Sequence, residues 1–395
     1  MANFDTHLIH KGDGQFAKAL NKTASVAETL PIYLSSAFAF DDVQSVDDIY
    51  ENRANGYIYS RAANPNIDAV SEILAAIENG AGALVFGSGM AAITTTILSL
   101  VKSGDNILAS RLLYGGTYDF FAHELPKFGV TVTFADIENG GIDEYIKENT
   151  KLVYTETIAN PLMSVPNIRK IAENTHKHGL LLLIDNTFAS PVIAKPLDLG
   201  ADIVLHSATK YLGGHSDILL GAAVAKTGEL AKQIRRTEGI YGGVASPQDA
   251  WLLARSLRTL SLRVKKHSQN ALKVAEFLEG HGKIEKVFYS GLSSSPSHEN
   301  AVSQFEPNLF GGMISANIKG GAAEKFIGKV ELFPFLPSLA GTSTTLSYSV
   351  KTSHRYYEKE KREELGITDE QVRFSIGLED ADDIIAEFES ALKDL

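Results

Sequence analysis

The chain has no cysteine among its 395 residues. A disulfide framework, a thiolate metal site and a thiol nucleophile are therefore excluded, and several reaction classes go with them. Positive charge is also in deficit: 37 Lys and Arg against 48 Asp and Glu leave a formal charge of -11. That is the wrong sign for the basic stripe that nucleic-acid phosphates require. The few basic runs, Arg235-Arg236 and Arg263 to Lys266, read as solvated helix faces. No apolar run reaches the ~20 residues of a membrane-spanning helix. Met1-Ala2-Asn3-Phe4-Asp5 shows no basic segment leading into an apolar one, so a cytoplasmic protein is the expectation. Internal repeats, low-complexity tracts and long flexible linkers are missing as well.

What remains is an ordinary globular composition, 44% hydrophobic and 22% charged, in a chain longer than one hydrophobic core usually serves. Between about residues 84 and 226, short β-rich runs (84–86, 106–109, 130–134, 152–155, 180–184, 203–206 and 222–225) alternate with helical segments (66–78, 90–100, 118–128 and 168–178). This alternation predicts an α/β fold whose central sheet is mostly parallel, with functional loops at the carboxyl ends of its strands. A long helical stretch over 247–281, opened by Pro247 and closed by Gly282, leads to strand candidates at 312–318 and 372–376 and a final helix at 381–395. These make a smaller C-terminal α/β unit. The first 60 or so residues lack regular alternation and contain the turn signal Asn55-Gly56. The predicted division is an N-terminal arm over 1–60 that contacts a neighbouring subunit, a large domain over 61–250 and a small domain over 251–395.

Lys210 follows two hydroxyl residues in Ser207-Ala208-Thr209-Lys210, 25 residues after Asp185, which ends the apolar run Leu180-Leu181-Leu182-Leu183-Ile184. A lysine held near an aldehyde and partly desolvated is a Schiff-base nucleophile. A carboxylate such as Asp185 can keep a pyridine nitrogen protonated, so that the ring draws electrons from a substrate carbanion. The pair reads as a pyridoxal phosphate (PLP) site. Phe86-Gly87-Ser88-Gly89-Met90-Ala91 supplies a strand-to-helix turn whose amides suit a phosphate. A dinucleotide loop is disfavoured because Ala92 stands where its third glycine belongs. Ser207 and Thr209 can add hydroxyl donors. Tyr114, beside Gly115 and Gly116, can approach a ring closely enough to stack. His206 and His215 have no recognised metal spacing, and no metal is expected.

Several ordered motifs carry a resemblance that covers nearly the whole chain. They are Tyr59-Ser60-Arg61 with Asn64-Pro65, Gly87-Ser88-Gly89-Met90, Tyr114-Gly115-Gly116-Thr117, Asn160-Pro161, Asp185-Asn186-Thr187-Phe188, and His206-Ser207-Ala208-Thr209-Lys210-Tyr211 running into Gly214-His215-Ser216-Asp217. Together they resemble the trans-sulfuration family of fold-type I PLP enzymes, aspartate aminotransferase-like in fold, which includes cystathionine γ-synthase, γ-lyase and β-lyase. The resemblance implies that Lys210 holds PLP and moves protons, Asp185 pairs with the pyridinium, and Tyr114 stacks on the ring. It also implies that Gly89, Met90, Ser207 and Thr209 bind phosphate, and that Tyr59 and Arg61 reach the phosphate of an adjacent subunit in a homotetramer with shared sites. Arg373 is implied to clamp the substrate carboxylate, supported by Asn160 and Ser338.

The implied reaction is elimination from a sulfur amino acid such as cystathionine. Gly116, where methionine γ-lyases usually carry cysteine, leans toward cystathionine chemistry. Pro337, where family members that handle cystathionine often carry glutamate, leans away from it. Open alternatives are γ-replacement on an activated homoserine, methionine γ-elimination, aminotransfer and PLP binding without turnover.

Overall fold

Apolar runs of five or so residues, too short for helices and rich in branched side chains, become the strands of one sheet. The computed structural model describes residues 3–12, 27–51, 53–355, 357–393 and 395. It orders seven strands as β1 (Gly82–Phe86), β7 (Gly221–Ala225), β6 (Ile203–His206), β5 (Leu181–Asp185), β4 (Thr150–Glu156), β2 (Asn106–Ser110) and β3 (Thr131–Ala135). Strands β2 to β6 pair in parallel, and β7 runs antiparallel to both of its neighbours. The central strands are buried along most of their length, because helices cover both faces and leave no solvated side to alternate toward.

The helices begin where the sequence supplies caps. Asn64 accepts from the Asn66 amide ahead of α1 (Pro65–Ile77), Ser88 from the Ala91 amide ahead of α2 (Gly89–Leu100), and Asn167 from the Lys170 amide ahead of α3 (Ile168–Lys177). Each satisfies a donor that the first turn leaves open. A second, smaller sheet of four antiparallel strands, ordered β10 (Thr345–Ser347), β11 (Gln371–Ser375), β9 (Met313–Ile318) and β8 (Ile284–Phe288), carries the C-terminal part. Here the alternation reading missed β8, a strand with exposed Glu285 and Lys286, and β10, which is only three residues long.

The helical stretch expected over 247–281 divides into α4 (Pro247–Leu257) and α5 (Leu260–Gly280). Arg263 stands at the division, and it corrects the expectation of a solvated basic face, being only 5% exposed. Its guanidinium donates to the carbonyls of Ser256 at 2.9 Å and Tyr211 at 2.8 Å, and its Nε to the Thr259 hydroxyl at 3.2 Å. It thus gives a donor to the Tyr211 carbonyl after Lys210 and a further one to the Ser256 carbonyl, which also accepts from the Thr259 amide. The helix expected over 118–128 likewise forms in three pieces, an α-turn Gly115–Asp119, a π-turn Phe120–Glu124 and a 3-10 turn Leu125–Phe128, because Pro126 has no amide to continue the ladder. No described helix is long and apolar enough to cross a membrane.

The smaller sheet is held to the final helix, α6 (Ala381–Leu392), by an aromatic cluster. Phe388 is fully buried and lies 4.9 Å from Phe374, 5.4 Å from Phe333 and 6.1 Å from Phe326, ring centre to ring centre. Phe388→Ala should therefore destabilise this part of the molecule by about 3–5 kcal/mol, read as a lowered urea midpoint. An unchanged midpoint would show that the cluster does not hold the helix in place.

Candidate active site

Parallel register decides which polar groups share one edge of the large sheet. Glu156 pairs with Asp185 at the ends of β4 and β5, and Asp185 pairs with Leu205 on β6. The chain leaving β6 therefore carries Ser207, Thr209 and Lys210 to the edge where Asp185 already stands. At this carboxyl edge lies a cavity of about 250 Å³ whose lining includes Ser88, Gly89, Met90, Tyr114, Asn160, Asp185, Ser207, Thr209, Lys210 and Arg373. Nine of the twelve residues singled out from the sequence line it; Ser338 meets Lys210 at its margin, and Tyr59 and Arg61 lie outside it.

Asp185 is held by Thr187, whose amide and hydroxyl both donate to Oδ1, at 3.0 and 2.5 Å. The Thr187 hydroxyl also accepts from the Ser207 amide at 2.8 Å, tying the aspartate loop to the lysine loop. Burial pushes the Asp185 carboxyl above its usual range, and the Thr187 bonds and the nearby His206 oppose that push. His206 is buried and bonded to Glu78, its Nε2 2.6 Å from Oε1, and Asn186 donates to the same oxygen at 3.1 Å. This buried cluster holds His206 near enough to Asp185 for its charge to act on that carboxyl.

Lys210 donates from Nζ to the Ser338 hydroxyl at 3.0 Å. Burial, with the charge of Arg373 adding to it, brings its amine down to about 8. Arg373, on β11 and only 4% exposed, donates to Oδ1 of Asn160 at 2.9 Å. Its own pKa falls to about 10 through burial. The small sheet thus delivers a buried guanidinium to the large sheet's cavity, where a planar fork suits a carboxylate.

The turn ahead of α2 fits its expected use closely. The amides of Gly89 and Met90 belong to the first turn, which a helix leaves without internal partners. A Cβ on Gly89 would lie 2.8 Å from the Ser207 Cβ, and one on Gly221 would lie 2.1 Å from the Ser88 carbonyl oxygen. Glycine at both positions lets this turn and the lysine loop close on one point. Tyr114 is 45% exposed rather than buried in a core, and a Cβ on Gly116 would stand 2.6 Å from its ring.

Tyr59 and Arg61 do not line this chain's own cavity. Tyr59 is nearly half exposed, with the Arg61 guanidinium 5.7 Å from its ring centre, and Arg61 donates to the Gly239 carbonyl. The sequence reading missed Glu156, whose Oε1 accepts from the Tyr114 amide at 2.5 Å, and gave Thr187 no role. Glu156 carried the same signal as Asp185, an acid closing an apolar strand. The donor set fits PLP: an acid for the ring nitrogen, a lysine of lowered pKa for the aldehyde, and turn amides with hydroxyls for the phosphate.

Fold and site together define a PLP-dependent enzyme of α/β fold. Residues 5–393 match the family described as Cys/Met metabolism PLP-dependent enzyme, and the chain belongs to it. It is 41% identical over 372 residues to an L-methionine gamma-lyase of Fusobacterium nucleatum subsp. polymorphum, covering 92% of this chain and 93% of that one. It is 42% identical over 344 residues to a cystathionine gamma-lyase of Bacillus subtilis, covering 86% and 89% respectively. Among solved structures, a putative O-acetylhomoserine (thiol)-lyase of Campylobacter jejuni, which carries a pyridoxyl-lysine phosphate, superposes with a TM-score of 0.94 at 30% identity over 99% of this chain and 100% of that one.

Because Lys210 must be neutral to attack an aldehyde, PLP capture by the apoprotein should accelerate as pH rises through about 8, read by stopped-flow absorbance. A midpoint near the ordinary lysine value would contradict the burial account. Gly89→Ala should push the phosphate turn off Ser207 and weaken PLP binding by about tenfold, measured by titrating the apoprotein.

Proposed function

We propose that the protein is a PLP-dependent C–S lyase that acts on a sulfur amino acid such as cystathionine by elimination, giving a keto acid, ammonia and a thiol. The observation that carries this reading is the convergence on one cavity of a depressed-pKa lysine, a buried acid and a buried arginine already oriented by Asn160. A carrier of PLP has no use for the last of these.

PLP bound here would supply an electron sink for a substrate carbanion, with Asp185 keeping its ring nitrogen protonated. Everything else is done by the chain. Arg373 takes the substrate α-carboxylate in a bidentate grip, and Asn160 fixes the guanidinium plane. That grip orients the Cα–H bond toward Lys210. The Lys210 amine takes the α-proton, and the Ser338 hydroxyl, 3.0 Å away, steadies it while it is free. Tyr114, which lines the cavity, would stack on the cofactor ring, and its hydroxyl would supply the proton that a departing sulfur needs. Gly89, Met90, Ser207 and Thr209 hold the phosphate as an anchor. Loss of sulfur from Cβ, with water then releasing ammonia from the resulting enamine, leaves pyruvate; loss from Cγ, which also requires a Cβ proton to be removed, leaves 2-oxobutyrate after the same hydrolysis.

Tyr59 and Arg61, turned away from this chain's own cavity, serve the cofactor phosphate of a neighbouring subunit, in a homotetramer built as a dimer of dimers working in the cytoplasm. Part of the arm expected over 1–60 lies outside the described residues. The proposed division into a large domain over 61–250 and a small one over 251–395 is supported by the strands of the two sheets falling on either side of it, with the limit inside α4.

The cavity lining also favours a second reading, elimination from methionine. Asp185, Lys210 and Arg373 are assigned to the cofactor and the α-carboxylate, Glu156 is bonded to the Tyr114 amide, and Ile158, Leu219, Pro337 and Leu339 present apolar surface to whatever lies beyond them. A small thioether suits that surface.

The test is product analysis of the PLP-loaded protein with L-cystathionine, L-methionine and O-acetyl-L-homoserine, the last with and without sulfide. Keto acid and ammonia from a thioether are expected, with turnover in Lys210→Ala lower by about a thousandfold. Product formed only when sulfide is added would replace the lyase with a transferase. Arg61→Ala should raise the PLP concentration needed for half-saturation in the assembled protein. Unchanged saturation would remove the shared-site reading.

A further inference from the structure

Glu156 is the one carboxyl lining the cavity that the proposed mechanism does not use. It is 5% exposed and closes β4 directly beside Asp185. Its Oε1 accepts from the backbone amide of Tyr114 at 2.5 Å, and the backbone amide of Asn160 also donates to its carboxyl. Those two amides belong to the two loops that matter most for geometry. One carries the ring expected to stack on the cofactor, and the other carries the amide side chain that orients Arg373 at 2.9 Å.

The surroundings explain why one side chain has this reach. Tyr114 sits on a glycine-flanked turn, where Gly115 comes so close to the Ser353 carbonyl that a Cβ there would lie 2.1 Å away. The turn thus lies against the Ser353 backbone, and the hydrogen bond from the Tyr114 amide to Glu156 gives it a second fixed point. Asn160 lies four residues after Glu156, so the carboxyl can take an amide from its own loop and one from the Tyr114 loop at once.

We propose that Glu156 is a positioning residue that sets the stacking ring and the substrate-carboxylate clamp together, by accepting backbone amides from the Tyr114 and Asn160 loops. Burial and the neighbouring Asp185 push its carboxyl well above the usual range, the direction that favours the uncharged acid. A carboxamide keeps an acceptor oxygen of the same reach and the same neutrality, whereas an aliphatic side chain leaves both amides without it. This inference rests on the PLP-lyase reading for its substrate arm but not for its cofactor arm.

The experiment compares wild type, Glu156→Gln and Glu156→Leu by apoprotein titration with PLP, by circular dichroism of the bound cofactor's absorption band, and by KM and kcat separately. Glu156→Gln is expected to stay within about threefold of wild type in all of them, because its oxygen replaces the lost acceptor. Glu156→Leu is expected to weaken PLP binding and raise KM by about tenfold each, and to change the cofactor's dichroic band as the stacked ring tilts. A Glu156→Leu protein with wild-type affinity, dichroism and KM overturns the proposal. So does a Glu156→Gln protein as damaged as Glu156→Leu, since that would require the charge rather than the acceptor. If Glu156→Leu does not fold, Glu156→Asp takes its place, its acceptor withdrawn by one methylene; wild-type PLP affinity and dichroism there overturn the proposal equally. PLP titration and dichroism need no substrate, so a failed lyase assignment leaves them readable.

Discussion

Burying ionisable groups at the edge of a parallel sheet is the constraint on which the rest of this structure depends. Register places Glu156, Asp185 and the loop bearing Lys210 side by side, in surroundings where a lone charge is costly. Each is answered by a specific partner. Thr187 donates twice to Asp185, the Tyr114 amide meets Glu156, and Ser338 meets Lys210. Arg373 completes the set from the smaller sheet, so the two sheets are joined through the chemistry of one cavity.

The same desolvation that is expensive for the fold prepares the groups for reaction. It lowers the Lys210 amine to about 8, near the range where a free nucleophile is available. It raises both carboxyls, and the two acids are then separated by their partners: hydroxyl and amide donors with a nearby histidine for Asp185, backbone amides alone for Glu156. Two neighbouring acids in unlike environments are thereby fitted to unlike tasks.

Much of this was legible in the chain itself. Strand-length apolar runs announced the large sheet, and polar residues closing those runs announced Asp185 and the Lys210 loop, because parallel sheets gather their strand ends on one edge. Glu156 gave the same sign after Thr150–Thr155 but lay four residues ahead of the more conspicuous Asn160-Pro161. Arg263 was hidden for a different reason: in sequence it sits in a basic run, and only the folded chain brings the carbonyls of Tyr211 and Ser256 to its guanidinium. β10 is too short to show any alternation. Tyr59 and Arg61 do not line this chain's own cavity, so nothing within one chain gives them a role in it.

The most direct measurement of the central claim is borohydride reduction of the PLP-loaded protein followed by peptide mapping, with and without a thioether amino acid added first. The account predicts a phosphopyridoxyl group on Lys210 that is lost when substrate precedes the reductant, together with release of keto acid and ammonia. Label on a different lysine, or label on Lys210 that no amino acid displaces, would contradict it.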